Sequence, residues 1–360
     1  MSVRIGVIGG GKFGGLHLQI FSQLMKRGDV ELVGLADLNE NLLNQRKKEF
    51  GVKPYTDYRK MIEEEKPDAV SVATPDHLHR KIAVDVLNMG VNVLVEKPLD
   101  ITVEGCLEII ETAEKNNKFL QVDFHKRFDP ASIEVYNNIK QGNLGEILYA
   151  TAYMNDKIEV PSEWFKTWAH NSSSFWFLGS HLVDLLMWLT GKKPKEVIAV
   201  GQKEKLKSLG IDTYDYVNAI IKNEDGSSFL IETNWIQPEN FESIVDQGFK
   251  VVGTDGNIEV DAQDRGIRGS LKNESGTNTF NPYFHFSKKN PDGTVTLGGY
   301  GVDSIIDFVN NIRYLKNGMT IKQLEGTYAS GRDGMLVTAV CEAVSNSLKT
   351  GKPETVNTGD

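Results

Sequence analysis

Residues 3–14 read VRIGVIGGGKFG. Val3–Ile8 has the apolar, β-branched pattern of a strand buried on both faces, and it runs directly into Gly9, Gly11 and Gly14 at the spacing GxGxxG. From Phe13 to Lys26 the apolar residues Leu16, Ile20 and Leu24 share one helical face. A strand, a glycine turn and a helix in that order make an anion site. Glycine allows a tight turn and close backbone approach, while the helix N-terminus offers free N–H groups and the positive end of its dipole. The pattern therefore predicts a dinucleotide pyrophosphate on Gly9, Gly11, Lys12, Phe13 and Gly14.

Working outward, Glu31–Ala36 reads as the second strand and Asp37 ends it, at the interval of roughly 20 residues where an acid bonds the adenosine ribose 2′-hydroxyl. A carboxylate there repels a 2′-phosphate, and Leu38 and Asn39 bring no cation beside it, so NAD is predicted over NADP. The helix Glu40–Phe50 follows. Strands at Ala69–Ala73, Val91–Val95 and Leu120–Phe124 then alternate with helices at Arg80–Met89 and Val103–Asn116. This alternation predicts an α/β domain over residues 1–123, a doubly wound parallel sheet.

After residue 124 the pattern changes. A helix at Ala131–Gln141 and an apolar segment at Phe175–Leu189 accompany strands at Ile147–Met154, Glu196–Gln202, Tyr216–Lys222, Ser228–Trp235, Gly248–Gly253 and Gly256–Val260. Strand following strand predicts an open, mostly antiparallel sheet in an α+β domain spanning 124–360. Helical patterns at Val302–Asn317 and Thr327–Lys349 close the chain, and residues 263–299 read as polar loop.

Composition narrows the class. The 360 residues carry 40 basic and 49 acidic side chains, a net charge of −9 spread along the chain, which argues against a nucleic-acid or anionic-membrane partner. No apolar stretch reaches membrane-spanning length. Cys106 and Cys341 are the only cysteines, so neither a disulfide framework nor a CxxC metal site is suggested and no metal is expected. The expectation is a soluble, cytoplasmic protein.

Three further segments carry chemistry. ATPDHLH (73–79) and EKP (96–98) each follow a strand, and ligands of open α/β sheets bind outside the carboxyl ends of the strands. Lys97, between a carboxylate and a proline, is suited to exchange a proton once desolvated near a cationic ring. In FWFLGSHLVDLLMW (175–188) a helix would put His181, Asp184, Leu185 and Trp188 on one face. By itself that is equally the pattern of a core helix with a hydrogen-bonded histidine.

Together, GVIGGGKFG, GLAD, ATPDHLH, LVEKPL, HKRFDP (125–130) and GSHLVDLLMWLTG make the whole chain resemble the glucose–fructose oxidoreductase/inositol dehydrogenase/MocA family. The resemblance implies an N-terminal Rossmann domain, and a C-terminal sheet that binds substrate and joins subunits into a homo-oligomer. It implies hydride transfer between NAD and a sugar, inositol or related polyol. By resemblance Lys97 exchanges the proton of the reacting hydroxyl and His181 hydrogen-bonds that oxygen. Glu96 contacts the nicotinamide-side ribose, Thr74, Pro75 and His79 line the cofactor crevice, and Arg127 stands where cofactor meets substrate.

One position departs from the family pattern. Many polyol-oxidising members carry a carboxylate four residues before the histidine, and here that residue is Phe177. Asp123 and Asp156 are candidates to replace it, with Asp156 and Trp168 expected at the substrate. Trp164, Trp168, Phe175 and Trp176 suggest an aromatic pocket fit for the C–H faces of a sugar ring. A dehydrogenase or reductase acting at a ring carbon is the leading expectation. Glycoside cleavage by transient oxidation and elimination, or a non-catalytic NAD- or sugar-binding regulator, stay open at this level.

Overall fold

Strand β1 (Val3–Ile8) is the centre of the first sheet, as its unbroken apolar run requires of a strand flanked on both sides. After it come α1 (Lys12–Lys26), β2 (Val30–Ala36), α2 (Glu40–Phe50), β3 (Pro54–Tyr55), α3 (Tyr58–Glu65), β4 (Ala69–Val72), α4 (His79–Asn88), β5 (Asn92–Val95), α5 (Val103–Asn116) and β6 (Leu120–Val122). The six strands are parallel in the order β3-β2-β1-β4-β5-β6. The order reverses between β1 and β4, which makes their carboxyl ends the crevice of a doubly wound sheet. The computed structural model describes residues 2–166, 168–272 and 276–359.

Local chemistry sets the helix starts. Asn39 caps α2 by accepting from the Asn41 and Leu42 amides, Asp57 caps α3 through the Arg59 amide, and Thr102 caps α5 through that of Gly105. The β3–α3 step is absent from the sequence-based expectation. A two-residue strand and an eight-residue helix burying only Met61 and Ile62 leave too short a period to read.

The second sheet is built from β7 (Ile147–Lys157), β8 (Pro194–Gln202), β9 (Tyr216–Asn223), β10 (Ser228–Gln237), β11 (Val245–Gly253) and β12 (Asn257–Asp261). Helices α6 (Pro130–Lys140), α7 (Ser180–Thr190) and the single turn α8 (Lys205–Ser208) accompany it. Two short ribbons follow, β13 (Arg268–Gly269) with β14 (Asn278–Thr279) and β15 (Phe286–Lys289) with β16 (Val295–Gly298), in the stretch expected to be loop. The chain ends in α9 (Tyr300–Lys316), α10 (Ile321–Leu324), α11 (Gly331–Thr350) and β17 (Glu354–Thr355). The sheet order is β12-β11-β7-β10-β9-β8-β17, antiparallel except for the β7–β10 pair. Alternation along β9 and β10 buries Val217, Ile221, Phe229, Ile231 and Trp235 on one face.

The division of the chain differs from the expected break after residue 123. One compact unit comprises residues 2–125, 285–338 and Gly359; the other comprises 126–284 and 339–358. The reason is the apolar stripe of α9. Val302, Ile305, Phe308, Val309 and Ile312 share one buried core with Val3, Ile5, Leu18, Phe21 and Phe119, and Phe308 stacks on Phe119 with centroids 6.2 Å apart. Amphipathic spacing shows that a helix buries one face but not which sheet receives it. Among the described residues no helix is long and apolar enough to cross a membrane, and both cysteines are buried.

Because Phe308 is fully buried, Phe308→Ala should cost about 3–5 kcal/mol of stability, the range for a large cavity-forming change. Urea unfolding followed with and without NAD should show the loss in the cofactor-protected transition. A loss confined to a transition that NAD does not protect would place α9 elsewhere.

Candidate active site

The glycine turn is as tight as its spacing demands. Gly9 adopts φ +95°, and a Cβ there would lie 2.4 Å from the Ala73 carbonyl oxygen. A Cβ on Gly14 would fall 1.9 Å from the Gly9 oxygen, so α1 closes onto the turn only with glycine at that position. Gly11 has open space where its side chain would be. Helix α1 has neither a side-chain cap nor an acidic residue in its first turn, which leaves its N–H groups and dipole to an anion. Lys12 and Phe13 are exposed on that turn. Asp37, half-buried beyond β2, accepts from the Gly10 amide at 2.7 Å and the Asn39 amide at 2.8 Å. Its two oxygens retain acceptor positions for a ribose diol. These residues fit the adenosine and pyrophosphate portions of NAD.

Sequence reasoning missed Arg46. From α2 its guanidinium donates to the carbonyls of Gly10 (3.0 Å) and Gly11 (3.1 Å) and pairs with Glu49 at 2.6 Å. The signal was present as Arg46 and Glu49 at i, i+3, but its reach to the glycine loop depends on how α2 packs. Paired in this way, Arg46 braces the turn.

The loops after β4, β5 and β6 meet at the other half of the crevice. Thr74 is half-exposed and Pro75 exposed, both at the end of β4. His79 lies behind them, fully buried, with Nδ1 2.7 Å from the Pro98 carbonyl oxygen and Nε2 2.9 Å from that of Thr74. It ties the two loops together through backbone carbonyls. Lys97 is 6% exposed, and the Lys97–Pro98 peptide is cis. Beside it the Glu96 carboxylate lies 3.0 Å from His17 Nε2, while His17 Nδ1 is 2.6 Å from the Ser71 hydroxyl on β4. Asp123, at the end of β6 and 4% exposed, lies 3.7 Å from His17 Nε2.

Charge in this cluster is unevenly shared. Burial drives the Asp123 carboxyl upward and the Glu96 charge adds to that, against the opposing pull of His17 and Lys97. Burial also acts to raise Glu96, but the hydrogen bond and charge of His17, with Lys97 and His125, hold it below its usual range. His17 is raised: burial works against its charge, but the bond to Glu96 and both carboxylates prevail. His17 and Glu96 thus form a buried pair beside a carboxyl that burial shifts toward its protonated form.

The second unit holds the remaining predicted residues. Phe175–Gly179 winds as a π-helical turn before α7 begins at Ser180, so the expected helix over 175–189 starts later. The widened turn brings Phe177 into an aromatic cluster, with ring centroids 4.7 Å from Phe165, 6.3 Å from Trp168 and 6.1 Å from Trp235. Trp168 also packs on Phe165 at 4.5 Å. His181 is 6% exposed in the first turn of α7. One turn on, the buried Asp184 grips Arg127 in a fork, 2.9 Å to Nε and 2.5 Å to Nη2. Trp188, one turn further, stacks on Tyr136 of α6 with centroids 4.5 Å apart. The polar residues in this apolar segment therefore do different work: Asp184 anchors Arg127, and Trp188 fastens the helix.

Asp156, on β7, is 2% exposed. Near it lies a group that sequence reasoning missed. Lys126 is buried and bonds Gln247, and Arg265 pairs with Asp129. Burial, with the Arg265 charge, lowers the Lys126 ammonium to about 8 against the pull of Asp129 and Asp156. Lys126 and Asp129 belong to the HKRFDP segment, but Gln247 and Arg265 reach them only through folding.

Comparison with known proteins agrees with this geometry. Residues 3–124 match the model of an oxidoreductase family with an NAD-binding Rossmann fold, and residues 133–259 match the GFO/IDH/MocA C-terminal domain. The rhizopine catabolism protein MocA of Rhizobium meliloti is 28% identical over 229 residues, 63% of this chain and 70% of that protein. The inositol 2-dehydrogenase of Rubrobacter xylanophilus is 26% identical over 262 residues, 72% of this chain and 71% of its own. The crystal structure of scyllo-inositol dehydrogenase from Lactobacillus casei with bound NAD(H) and scyllo-inositol superposes with a TM-score of 0.78 at 19% identity, covering 99% of each chain. With both domains matched and a glycine turn built for the dinucleotide, the chain belongs to the Gfo/Idh/MocA family and is an NAD-dependent oxidoreductase.

Proposed function

We propose that this protein transfers hydride between NAD and a ring carbon of a cyclitol, sugar or glycoside, interconverting a secondary alcohol and its ketone. The observation that carries this reading is Lys97, buried at the carboxyl end of β5 beside Glu96. In the oxidative direction Lys97, in its neutral form, accepts the hydroxyl proton; in the reductive direction its ammonium returns it. NAD, when bound, takes or supplies the hydride. His181 hydrogen-bonds the reacting oxygen, and Glu96 contacts the nicotinamide-side ribose. Asp156, Trp168 and Arg127 shape the substrate end, Arg127 from the fixed position that Asp184 gives it. The aromatic cluster around Phe177 suits the apolar face of a ring substrate, and the inositol 2-dehydrogenase relative supports a cyclitol.

We also propose a cytoplasmic homo-oligomer joined through the second sheet. Its outer face leaves Ile198, Val200, Ile220 and Leu230 between 39% and 58% exposed, around a shallow concavity that also takes in Thr151, Tyr153 and Glu232. A contiguous apolar patch on a flat sheet fits a self-complementary face of a second copy.

Four outcomes are expected. A panel of cyclitols and sugars followed by NADH absorbance in both directions should give turnover with at least one. Lys97→Ala and His181→Ala should each reduce its kcat by roughly 10²–10⁴-fold with melting temperature and NAD affinity nearly unchanged. If His181→Ala mainly lowers the melting temperature, the histidine is core rather than catalytic. Asp37→Ala should weaken NAD(H) by about 1.5–3 kcal/mol, the range for a hydrogen bond to a charged group, and narrow its advantage over NADP(H) in calorimetric titration. Tighter NADPH binding to the parent protein would reject the ribose assignment. Val200→Asp with Ile220→Asp should lower the mass measured by light scattering, and an unchanged mass would move the interface elsewhere.

A further inference from the structure

His17, Glu96 and Asp123 lie outside the proton transfer just described, yet they are drawn from three separate elements to one buried point. The nitrogen and oxygen atoms of the three side chains all lie within 4.8 Å of one another. Full ionisation would put two desolvated carboxylates side by side with one imidazolium, offset only by the neighbouring Lys97, and burial together with the Glu96 charge favours the protonated form of Asp123. Sheet order shows where the cluster stands. The glycine turn follows β1 and Asp37 follows β2, so the adenosine half of NAD falls on the β2 side of the switch point. The nicotinamide half then falls over the ends of β4, β5 and β6. Those strand ends carry Ser71, Glu96 and Asp123.

The nicotinamide ring is a cation in NAD⁺ and neutral in NADH. A buried cluster one proton short of full ionisation responds to that difference. We propose that the His17–Glu96–Asp123 cluster makes this protein discriminate oxidised from reduced cofactor, with Asp123 releasing a proton when NAD⁺ binds and keeping it when NADH binds. Asp123 is thus a specificity residue for cofactor redox state, acting through charge rather than contact. The proton leaves to solvent; no covalent bond of the cofactor changes in this step. The proposal rests on the reading that the nicotinamide lies over these strand ends.

The groups that face Asp123 set the working range. Burial and Glu96 push its carboxyl up to about 7, while His17 of α1, Ser304 of α9 and Lys97 draw it down. His125, which stacks on Tyr300 with centroids 5.5 Å apart, acts on Glu96. Below pH 7 Asp123 is protonated in the free protein and NAD⁺ must displace that proton. Above pH 7 the carboxylate is already formed and NAD⁺ binds with full affinity. NAD⁺ affinity therefore falls as pH drops below 7, by at most about tenfold per pH unit for one released proton, while NADH affinity stays nearly level.

Isothermal titration of the intact protein with NAD⁺ and with NADH at pH 6.5, in two buffers of different ionisation enthalpy, tests this directly. The expected result is net proton release with NAD⁺, none with NADH, and loss of the release in Asp123→Asn. Infrared difference spectra of the unaltered protein, NAD⁺-bound minus free, should show the loss of a protonated carboxyl C=O band, a readout that needs no variant to fold. Equal proton release with both nucleotides, release that survives Asp123→Asn, or an unchanged carboxyl band would each overturn the role of the cluster while leaving NAD binding intact. Failure of both nucleotides to bind would instead reject the cofactor reading on which it rests.

Discussion

Much of the cofactor unit depends on one close approach, that of Gly14 to the Gly9 carbonyl. The 1.9 Å separation from a built Cβ means that any side chain at position 14 would push α1 off the end of β1. Held there, α1 directs its amide groups at the anion site and, one turn later, carries His17 in over the sheet to meet Ser71 and Glu96. The glycine that brings α1 onto the turn thus also sets the position of the histidine that meets Ser71 and Glu96. Asp37 draws on the same turn, since it accepts from the Gly10 amide.

The second unit solves a different problem, that of holding charged groups in an apolar setting. The bidentate Asp184–Arg127 pair is nearly fully desolvated. Such a pair adds little net stability beyond what an apolar pair would give, but it fixes geometry, because either partner alone would be a buried unpaired charge. Its consequence is a rigid relation between the HKRFDP segment and α7, the helix that bears His181. The π-helical turn before α7 serves the same end by feeding Phe177 into an aromatic cluster instead of extending the helix. The sheet beneath packs one face against this helix and leaves the other face apolar and exposed.

Parts of this arrangement were legible from the chain alone because their signals are local. VRIGVIGGGKFG specifies its strand, turn and helix through side-chain pattern and glycine sterics among neighbouring residues, and the same pattern places Asp37 at the end of the second strand, beside the turn. The EKP segment after a strand marked Lys97, and the structure adds that the peptide bond after it is cis. Short or weakly periodic elements such as β3 and α3 were not legible, and neither was the parallel β7–β10 pairing, since strand direction leaves no trace in alternation.

The amino-acid sequence by itself determined the two sheets, the glycine turn of the dinucleotide site and the places of Lys97 after a strand and His181 in an apolar helix, because periodicity and glycine spacing act over a few residues. Tertiary structure decided what required distant residues to meet. It assigned α9 to the first core through Phe308 and Phe119, and gave Asp184 the task of holding Arg127. It also brought Asp123 to His17, 106 positions earlier in the chain. The physical reason is the same each time: burial energy rewards an apolar stripe or a satisfied charge wherever it packs, and only the packed chain specifies the partner.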